Sequence, residues 1–372
     1  MQTEIIKEGT TKIMVPVFER GNHAPSKTPV FYNPKMELSR DISIACIATF
    51  ASDRYSYVDA LGATGIRGMR VANELCLNTT INDWSFKAYD LIVKNIGLNK
   101  LDAKAERKNA NVLLSESRFD IVDIDPFGSP APFLDSACRS VDKMLCITAT
   151  DTAPLCGAHK YSGIRKYGAL PLKTEYYSEM GIRILLGAIA RNLAKYDKSM
   201  NSLLSHATDH YYRAYMSIKK GAVNANKMIE RMGFIYHCFS CGQRGWNSGL
   251  AVHMVQECPH CSSSTRLAGP LWLGSLHDEK FCKLVLAELK NRELGTKEQA
   301  LKIVRLCGNE LDTPTYYDQH KFCKAFGITP PPMDRTIIEL NEAGFKASRT
   351  HFSGTSFKTD ATLEDIERIL CR

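Results

Sequence analysis

The chain has 372 residues, 44% of them apolar, and this length predicts two or three domains with a substantial hydrophobic core. Lysine and arginine number 48 against 40 acids, and the formal charge of +8 gives a mild bias toward polyanions without identifying a nucleic-acid-binding protein. No apolar run is long enough to cross a membrane and no signal-peptide pattern is present, so we expect a cytoplasmic protein.

The first half of the sequence has the pattern of a doubly wound α/β domain. Residues 51–235 are predicted to be this α/β domain, and residues 1–50 an N-terminal extension that contains a helix and packs on it. Short apolar runs in the domain alternate with amphipathic stretches, which is typical of a parallel sheet covered by helices. Predicted strands are YSYVDA, TTIND, FDIVDID and MLCITAT. Ser85 is the predicted N-cap of the helix SFKAYDLIVKNIGLN.

The pattern changes after about residue 230. Residues 236–275 form a cysteine-rich segment of short predicted strands, and two helical stretches follow between 279 and 309. The order helix, proline-rich turn, helix and hairpin at the end resembles a small winged-helix unit, so residues 276–372 are predicted to be a smaller α+β C-terminal domain.

A glycine-rich turn, DALGATGIRG at residues 59–68, lies between a predicted strand and a predicted helix. Such a turn lets a ligand approach the backbone, and the helix that follows offers unpaired N–H groups. The turn lacks both the three-glycine dinucleotide fingerprint and a Walker lysine. Asp59 at the strand end, with Gly62, favours a ligand that carries an ammonium group, as in S-adenosylmethionine (AdoMet) binding. The alternative is a purely structural turn.

The next two predicted strands also end in polar residues. Asp83 follows the second strand, where an acid commonly binds ribose hydroxyls in doubly wound sheets. Asn109 and Ala110 lie where we expect the third strand to end. There a side chain could meet the adenine amino group while a small residue packs against its ring.

The stretch DIDPFGSP at residues 123–130 follows the fourth buried strand. Its Asp-Pro-Phe step resembles the acid-Pro-Pro-aromatic motif of enzymes that methylate exocyclic amines. The Asp125 carboxylate and the Pro126 carbonyl could accept hydrogen bonds from such an amine, and Phe127 could stack on its base. The alternative is a strand-end turn with a buried phenylalanine.

Together, VFYNPKMELSRDI, DALGATGIRG, IDPFGSP and TATDTAPLCG resemble the tRNA (guanine-26-N2)-dimethyltransferase family in its compact archaeal form. The resemblance extends through most of residues 1–275 and more loosely beyond. It implies a Rossmann-like class I AdoMet-dependent methyltransferase domain, a family-specific C-terminal domain, AdoMet as methyl donor and tRNA as substrate. It assigns AdoMet contacts to Arg40, Arg67 and Asp83, a guanine sandwich to Phe31 and Phe127, and the catalytic acid group to Asp125.

One motif departs from the family pattern. Relatives tend to carry Asp-Ala-Asn where this chain has Asn109-Ala110-Asn111. An asparagine can still accept a hydrogen bond from the adenine amine through its side-chain oxygen. We therefore keep Asn109 and Ala110 in the predicted cofactor site.

Four of the 13 cysteines form two Cys-x-x-Cys pairs: Cys238, Cys241, Cys258 and Cys261. This spacing fits a tetrahedral zinc site, and four thiolates would close the coordination shell, which predicts a structural zinc. A redox pair or four buried thiols are the alternatives.

A basic stretch beginning at residue 206 interleaves cations with tyrosines. Its cations are Arg213, Lys219, Lys220, Lys227 and Arg231. This composition suits contact with RNA phosphates and stacking on bases. A solvated helix face is the alternative.

The sequence therefore predicts a monomeric AdoMet-dependent enzyme that methylates the exocyclic N2 amine of guanine 26 in tRNA to N2,N2-dimethylguanosine, with no membrane partner. A methyltransferase for another tRNA guanine N2 or for adenine N6 is the alternative among enzymes. A zinc-ribbon RNA-binding protein without activity is the alternative from another class. The Asp125-Pro126-Phe127 step argues against that alternative, since a protein that only binds RNA needs no acid at a methyl-transfer point.

Overall fold

The computed structural model describes residues 2–17, 29–253 and 255–370. In chain order the elements of the first half are β1 (Thr3–Glu8), β2 (Thr11–Pro16), α1 (Glu37–Phe50), β3 (Ser56–Asp59), α2 (Ile66–Leu75), β4 (Asn78–Asn82), α3 (Phe86–Asn99), β5 (Ala103–Glu106), α4 (Ala110–Glu116), β6 (Phe119–Ile124), α5 (Leu134–Ser140) and β7 (Val141–Ala149). They are followed by α6 (Thr152–Leu155), α7 (Lys160–Tyr167), α8 (Tyr177–Ala194), β8 (Lys198–Thr208), β9 (Tyr211–Lys220), α9 (Ala222–Ile229), β10 (Met232–Cys238), β11 (Arg244–Ser248), β12 (Thr265–Trp272), α10 (Glu279–Asn291), α11 (Lys297–Asn309), β13 (Tyr317–Asp318), α12 (Gln319–Ala325), α13 (Met333–Glu342), β14 (Ala347–Arg349), β15 (Ser356–Thr359) and α14 (Leu363–Leu370).

The chain divides into two compact units, each made of separate stretches of sequence. Unit 1 comprises Met1–Ala149, Tyr215–Lys219 and Lys280–Arg305, and unit 2 comprises Thr150–Ala214, Lys220–Glu279 and Leu306–Arg372. The boundaries predicted at 50, 235 and 275 stay a prediction, and residues 18–28 of the predicted N-terminal extension lie outside the described residues.

The largest sheet among the described residues has seven strands in the order β5-β4-β3-β6-β7-β9-β8. The pairs β3/β4, β3/β6, β4/β5 and β6/β7 are all parallel. Because β3, β4 and β6 run parallel, their carboxyl ends meet at one edge of the sheet, where doubly wound folds bind their ligands. The predicted Rossmann-like fold is confirmed.

The glycine-rich turn packs tightly against the neighbouring strand. Gly65 has φ +83°, a backbone conformation that strongly favours glycine. A Cβ on Gly68 would lie 2.6 Å from Cγ1 of Ile81 on β4, so only glycine lets α2 approach the sheet this closely. The turn is therefore fixed by packing at the edge where β3 ends.

Two details of the first unit differ from the sequence-based expectation. Ser85 precedes α3 as predicted, but its side chain makes no capping hydrogen bond. The third strand, β5, ends at Glu106 rather than at Asn109. Asn109 is instead the N-cap of α4, since its Oδ1 accepts a hydrogen bond from the backbone N–H of Asn111 at 2.9 Å.

Unit 2 contains two small antiparallel sheets. Strands β11, β10 and β12 form one, in that order, with β10 paired to both neighbours. Strands β13, β15 and β14 form the other, and with α12, α13 and α14 they enclose a core that includes Phe322, Leu340 and Phe357. This confirms a smaller α+β arrangement at the C-terminus. Among the described residues no helix is long and apolar enough to cross a membrane.

Candidate active site and metal centre

Two acids stand where β3 and β4 reach the carboxyl edge of the sheet. Asp59 ends β3, is 2% exposed, and accepts a hydrogen bond from the Gly68 N–H at 3.1 Å. Asp83 follows β4 and accepts from the backbone N–H groups of Ala63 at 3.0 Å and Ser85 at 2.9 Å. Burial raises the pKa of Asp83, while those two hydrogen bonds oppose the shift. The structure thus places both acids beside the glycine-rich turn, as the sequence predicted.

A cluster of carboxylates lies between the ends of β3 and β6. Asp59 and Asp123 are fully or almost fully buried, and Tyr57 donates a hydrogen bond to Asp123 Oδ2 at 3.2 Å. Burial, with the nearby Asp123 carboxylate, raises the pKa of Asp59 to about 7, although the Arg67 guanidinium opposes this. Asp125, which follows β6, also repels the ionised form of Asp59. The edge of the sheet therefore concentrates negative charge.

Arg67 is the cation of this cluster. Its side chain is 4% exposed, and Nη2 contacts Asp125 Oδ2 at 2.5 Å. Nη1 donates to Ser43 Oγ at 2.6 Å, and Ser43 Oγ lies 2.8 Å from the Tyr215 hydroxyl. The sequence assigned Arg67 to AdoMet; the structure places it on the carboxylate that the sequence assigned to catalysis. Its contact with AdoMet stays a prediction.

Arg40 makes a different ion pair. Its Nε and Nη2 donate to the two carboxylate oxygens of Glu8 at 2.7 and 2.6 Å, and Nη2 also donates to the Asn33 carbonyl at 3.2 Å. Burial would raise the pKa of Glu8, but the Arg40 guanidinium more than offsets this and lowers it. Arg40 therefore anchors the loop that carries Phe31, and its predicted contact with AdoMet is untested.

Asn109 is the N-cap of α4 and Ala110 its first residue, directly after the short loop that leaves β5. Asn109 is exposed and uses its side-chain oxygen as the helix cap, whereas Ala110 is buried. An amide oxygen has two lone pairs, so capping leaves Asn109 able to accept a second hydrogen bond. Their predicted role at the adenine ring stays a prediction.

The rings of Phe31 and Phe127 contact each other edge to face, with centroids 5.6 Å apart and planes at 63°. Phe127 is 76% exposed, although Pro126 before it is buried. A base stacked between two rings needs them parallel and separated by twice the stacking distance. The structure thus brings together the two rings that the sequence paired, but in edge-to-face contact, and their predicted role around the guanine stays a prediction.

Sequence reasoning missed the residues that hold these side chains in place. Buried Arg70 contacts Asp41 Oδ1 at 2.6 Å and Glu74 Oε1 at 2.9 Å, while Ser43 and Tyr215 support Arg67. Charged residues on the buried face of an apolar helix are only a weak sequence signal for a buried ion pair. No local sequence pattern indicates that Tyr215 contacts α1.

The four cysteines form a compact cluster in which all sulfur atoms lie within 4.8 Å of one another. The closest approaches are 3.5 Å between Cys238 and Cys261 and 3.6 Å between Cys241 and Cys258. Zinc–thiolate bonds of about 2.3 Å arranged tetrahedrally require sulfur separations of about 3.8 Å, so the cluster fits zinc.

The two cysteine pairs have the same backbone geometry. Cys238 N–H donates to Gln243 O at 2.8 Å, and Cys258 N–H donates to Ser263 O at 2.8 Å. In each pair the residue four positions after the first cysteine donates back to that cysteine's carbonyl. That residue has positive φ in both, +82° at Gly242 and +56° at Ser262. Repetition of one turn on both sides of the cluster presents the thiols toward a common centre.

The basic stretch is not a single helix face. Arg213 is fully buried in β9, so it belongs neither to an exposed helix face nor to a surface open to RNA in this structure. The other four cations are exposed: Lys219, Lys220, Lys227 and Arg231. They lie at the end of β9, on α9 and just after it.

A parallel α/β sheet with acids at successive strand ends, a glycine-rich turn and an Asp-Pro-Phe step defines a Rossmann-like methyltransferase. A family model described as N2,N2-dimethylguanosine tRNA methyltransferase matches residues 9–371. The chain therefore belongs to this family.

Named relatives and a solved structure agree over nearly the full length. The tRNA (guanine(26)-N(2))-dimethyltransferase of Methanosarcina mazei is 52% identical, with 98% of this chain and 97% of the relative covered. The enzyme of the same name from Haloarcula marismortui is 44% identical, with 97% and 98% covered. The structure of Trm1 from Pyrococcus horikoshii with S-adenosyl-L-methionine matches with a TM-score of 0.90 and 36% identity, covering 98% of this chain and 99% of that one.

Proposed function

We propose that this protein transfers methyl groups from AdoMet to the exocyclic N2 amine of guanine 26 in tRNA, giving N2,N2-dimethylguanosine. The observation that carries the proposal is the Asp125-Pro126-Phe127 step at the end of β6, with the Phe31 ring in contact with Phe127. Membership of the family over residues 9–371 supports the same activity.

Asp125 and Pro126 act on the amine. The N2 lone pair of guanine is delocalised into the ring, so the amine is a poor nucleophile. The Asp125 carboxylate and the Pro126 carbonyl accept its N–H hydrogen bonds and direct the lone pair toward the methyl group. The new N–C bond forms as the S–C bond breaks, and Asp125 accepts the proton that N2 loses.

The cofactor pocket lies at the carboxyl edge of β3, β4 and β5. AdoMet supplies an activated methyl group on a positively charged sulfur. We place its ribose at Asp83 and its amino-acid end near Asp59 and Gly62, with Asn109 and Ala110 at the adenine. The raised pKa of Asp59 suits a group that becomes ionised beside a bound cation.

The flipped guanine lies between Phe31 and Phe127, each aimed by a neighbouring proline, Pro34 or Pro126. Stacking on one aromatic ring contributes about 1–3 kcal/mol per base. Arg40 stabilises the loop that carries Phe31, because its guanidinium donates a hydrogen bond to the Asn33 carbonyl.

Transfer RNA is the proposed macromolecular substrate, and exposed Lys219, Lys220, Lys227 and Arg231 offer contacts for its phosphates. A tRNA substrate suits the cytoplasmic location that the sequence predicts. The residues proposed for chemistry all belong to unit 1, and the monomer that the sequence predicts stays a prediction.

The four-cysteine cluster is proposed to hold a structural zinc ion. Four thiolates leave no coordination position for a substrate, and metal binding would stabilise the fold of the 238–261 segment.

The methylation assay uses tRNA transcripts and AdoMet labelled in its methyl group. After nuclease digestion, label should appear in N2-methylguanosine and N2,N2-dimethylguanosine derived from position 26. A transcript with adenosine at position 26 is the matched control and should remain unlabelled. Label at another guanine, or on adenine N6, would reject the assignment.

The zinc assignment is tested by metal analysis of freshly purified protein, which should contain about one equivalent of zinc. Cys241→Ser should lose most of it and unfold at lower temperature. Cys76→Ser changes an exposed cysteine outside the cluster and serves as control. Less than about half an equivalent in the wild type would count against a closed four-thiolate site.

A further inference from the structure

We propose that Arg67, fixed by Ser43 and Tyr215, is a positioning residue that aims the Asp125 carboxylate at the guanine amine. This inference rests on the proposed function, because it assigns Asp125 its role in methyl transfer. It concerns side chains from α1, α2 and β9, none of which need touch the substrate.

The Arg67 side chain is held from several directions inside unit 1. Nη1 donates to Ser43 Oγ at 2.6 Å, and Nη2 lies 3.4 Å from Ser39 Oγ and 2.5 Å from Asp125 Oδ2. The side chain is 4% exposed, whereas that of Asp125 is 23% exposed. The guanidinium is thus fixed in the protein interior, and Asp125 extends from it toward solvent.

The hydrogen-bonding capacity of Ser43 fixes the direction of the chain of bonds. Ser43 Oγ lies 2.6 Å from the Ser39 carbonyl, which can only accept, so the serine proton points there. The oxygen then accepts from Arg67 Nη1 and from the Tyr215 hydroxyl at 2.8 Å. Tyr215 is therefore the donor, and a fully buried phenol on β9 determines where the arginine can sit.

The carboxylates near Arg67 explain why its position has to be fixed. Asp125 contacts the guanidinium, and Arg67, Asp123 and Asp125 all lie close enough to Asp59 to affect its charge. A loosely held cation could move toward the buried Asp59 or Asp123 instead of Asp125. The bonds from α1 set the plane of the guanidinium, and one of its amino groups then meets a single oxygen of Asp125.

A carboxylate has about four acceptor sites, so Asp125 can keep its contact with Arg67 while it accepts from the guanine amine. The contact between Arg67 Nη2 and Asp125 Oδ2 restricts the rotation of the carboxylate. A lysine would keep the charge but not the fork that joins Ser43 to Asp125.

The test compares single-turnover methylation at saturating tRNA and AdoMet with AdoMet affinity measured by calorimetry. Ser43→Ala removes an acceptor of a charge-assisted bond and should slow methyl transfer about ten- to a hundred-fold. Tyr215→Phe, which removes one oxygen atom, should slow it about three- to ten-fold. Both should bind AdoMet within a few-fold of wild type, and Ser43→Thr, which retains the hydroxyl, should recover most of the rate.

Ser140→Ala is the matched control, since Ser140 is a buried serine of α5 that donates to the Ser117 carbonyl at 2.8 Å. Its rate should match wild type. Arg67→Lys should lose at least as much rate as Ser43→Ala.

Two results would overturn the inference. One is folded Ser43→Ala and Tyr215→Phe proteins that methylate as fast as Ser140→Ala. The other is a weakening of AdoMet binding in both variants that accounts for the whole loss of rate, because Ser43 and Tyr215 would then support the predicted contact of Arg67 with AdoMet and not the position of Asp125. A wild-type protein that leaves guanine 26 unmethylated would instead refute the proposed function, and the inference with it.

Discussion

Two buried charge networks in unit 1 differ in how their acids are paired. Around Arg40 and Arg70, the acids Glu8, Asp41 and Glu74 each contact a guanidinium at 2.6 to 2.9 Å. In the other network Arg67 contacts Asp125, whereas Asp59 has the Asp123 carboxylate nearby and accepts its hydrogen bond from the Gly68 N–H rather than from a cation.

This difference separates structural charge from functional charge. The network of Arg40 and Arg70 ties β1, α1 and α2 together, and Asp41 also accepts two hydrogen bonds from Thr296. The cluster of Arg67 keeps an excess of negative charge at the edge of the sheet, where a cationic cofactor would bind. We expect mutations of Asp41, Arg70 or Glu74 to lower chiefly stability and mutations in the cluster of Arg67 to lower activity.

The largest expected effect is that of Asp125→Ala on methyl transfer. Removing the group that accepts the amine proton should slow single-turnover methylation about a hundred- to ten-thousand-fold. AdoMet affinity should change only a few-fold, since the partner of Asp125 is the base. Asp83→Ala is the converse control and should weaken AdoMet binding first. Loss of AdoMet binding in Asp125→Ala would move this residue into the cofactor site.

Asp41→Asn should chiefly lower stability. The change removes one charged partner of buried Arg70, at 2.6 Å, while Glu74 at 2.9 Å remains, so the cost should approach but not exceed the roughly 3–5 kcal/mol of a fully broken buried pair. Denaturant unfolding measures this free energy. Asp90→Asn, which breaks the exposed pair with Lys94, should cost less than about 1 kcal/mol. Equal effects of the two substitutions would contradict a stabilising role for the network of Arg40 and Arg70.

Phe127→Ala should slow tRNA methylation about ten- to a hundred-fold, because stacking on one ring is worth about 1–3 kcal/mol. Phe31→Ala should behave similarly, and Phe127→Tyr should lose much less. The salt dependence of tRNA binding should stay unchanged, since its slope reports phosphate contacts. Wild-type single-turnover rates in both alanine variants would show that the base is held elsewhere.

The smallest effect is a pH dependence of AdoMet affinity. Burial and Asp123 raise the pKa of Asp59 to about 7, so below that pH the free enzyme holds a proton that a cationic ligand displaces. The dissociation constant should therefore rise as pH falls below about 7, by at most about tenfold per unit. Asp59→Asn should bind more weakly and show a flatter profile. Calorimetry in buffers of different ionisation enthalpy detects the released proton, and a wild-type profile as flat as that of Asp59→Asn would contradict this role.

The same raised pKa has a consequence for stability. Between about pH 4 and 7 the folded protein retains the Asp59 proton while the unfolded chain has lost it, so the free energy of unfolding contributed by this group falls as pH rises.

Local patterns were sufficient to predict the sheet and the residues at its edge. Short apolar runs predicted β3, β4 and β6. Because these strands are parallel, the acids at or after their ends lie at one edge of the sheet. Four cysteines at regular spacing likewise predicted a compact sulfur cluster.

Local sequence patterns could not predict which charged and polar side chains pair with each other. Glu8 lies 32 positions from Arg40, Asp125 lies 58 from Arg67, and Tyr215 lies 172 from Ser43. Such pairs are set by how helices pack on the sheet, and no periodicity of the sequence encodes them. The end of β5 was misplaced for a local reason, because a capping asparagine was taken for the end of a strand.

The most direct test is a structure of the protein with tRNA and an AdoMet analogue that has no transferable methyl group. Our account predicts guanine 26 stacked between parallel rings of Phe31 and Phe127, with N2 within hydrogen-bonding distance of the Asp125 carboxylate and the Pro126 carbonyl. A guanine bound away from these four residues, or an analogue bound away from Asp59 and Asp83, would contradict it.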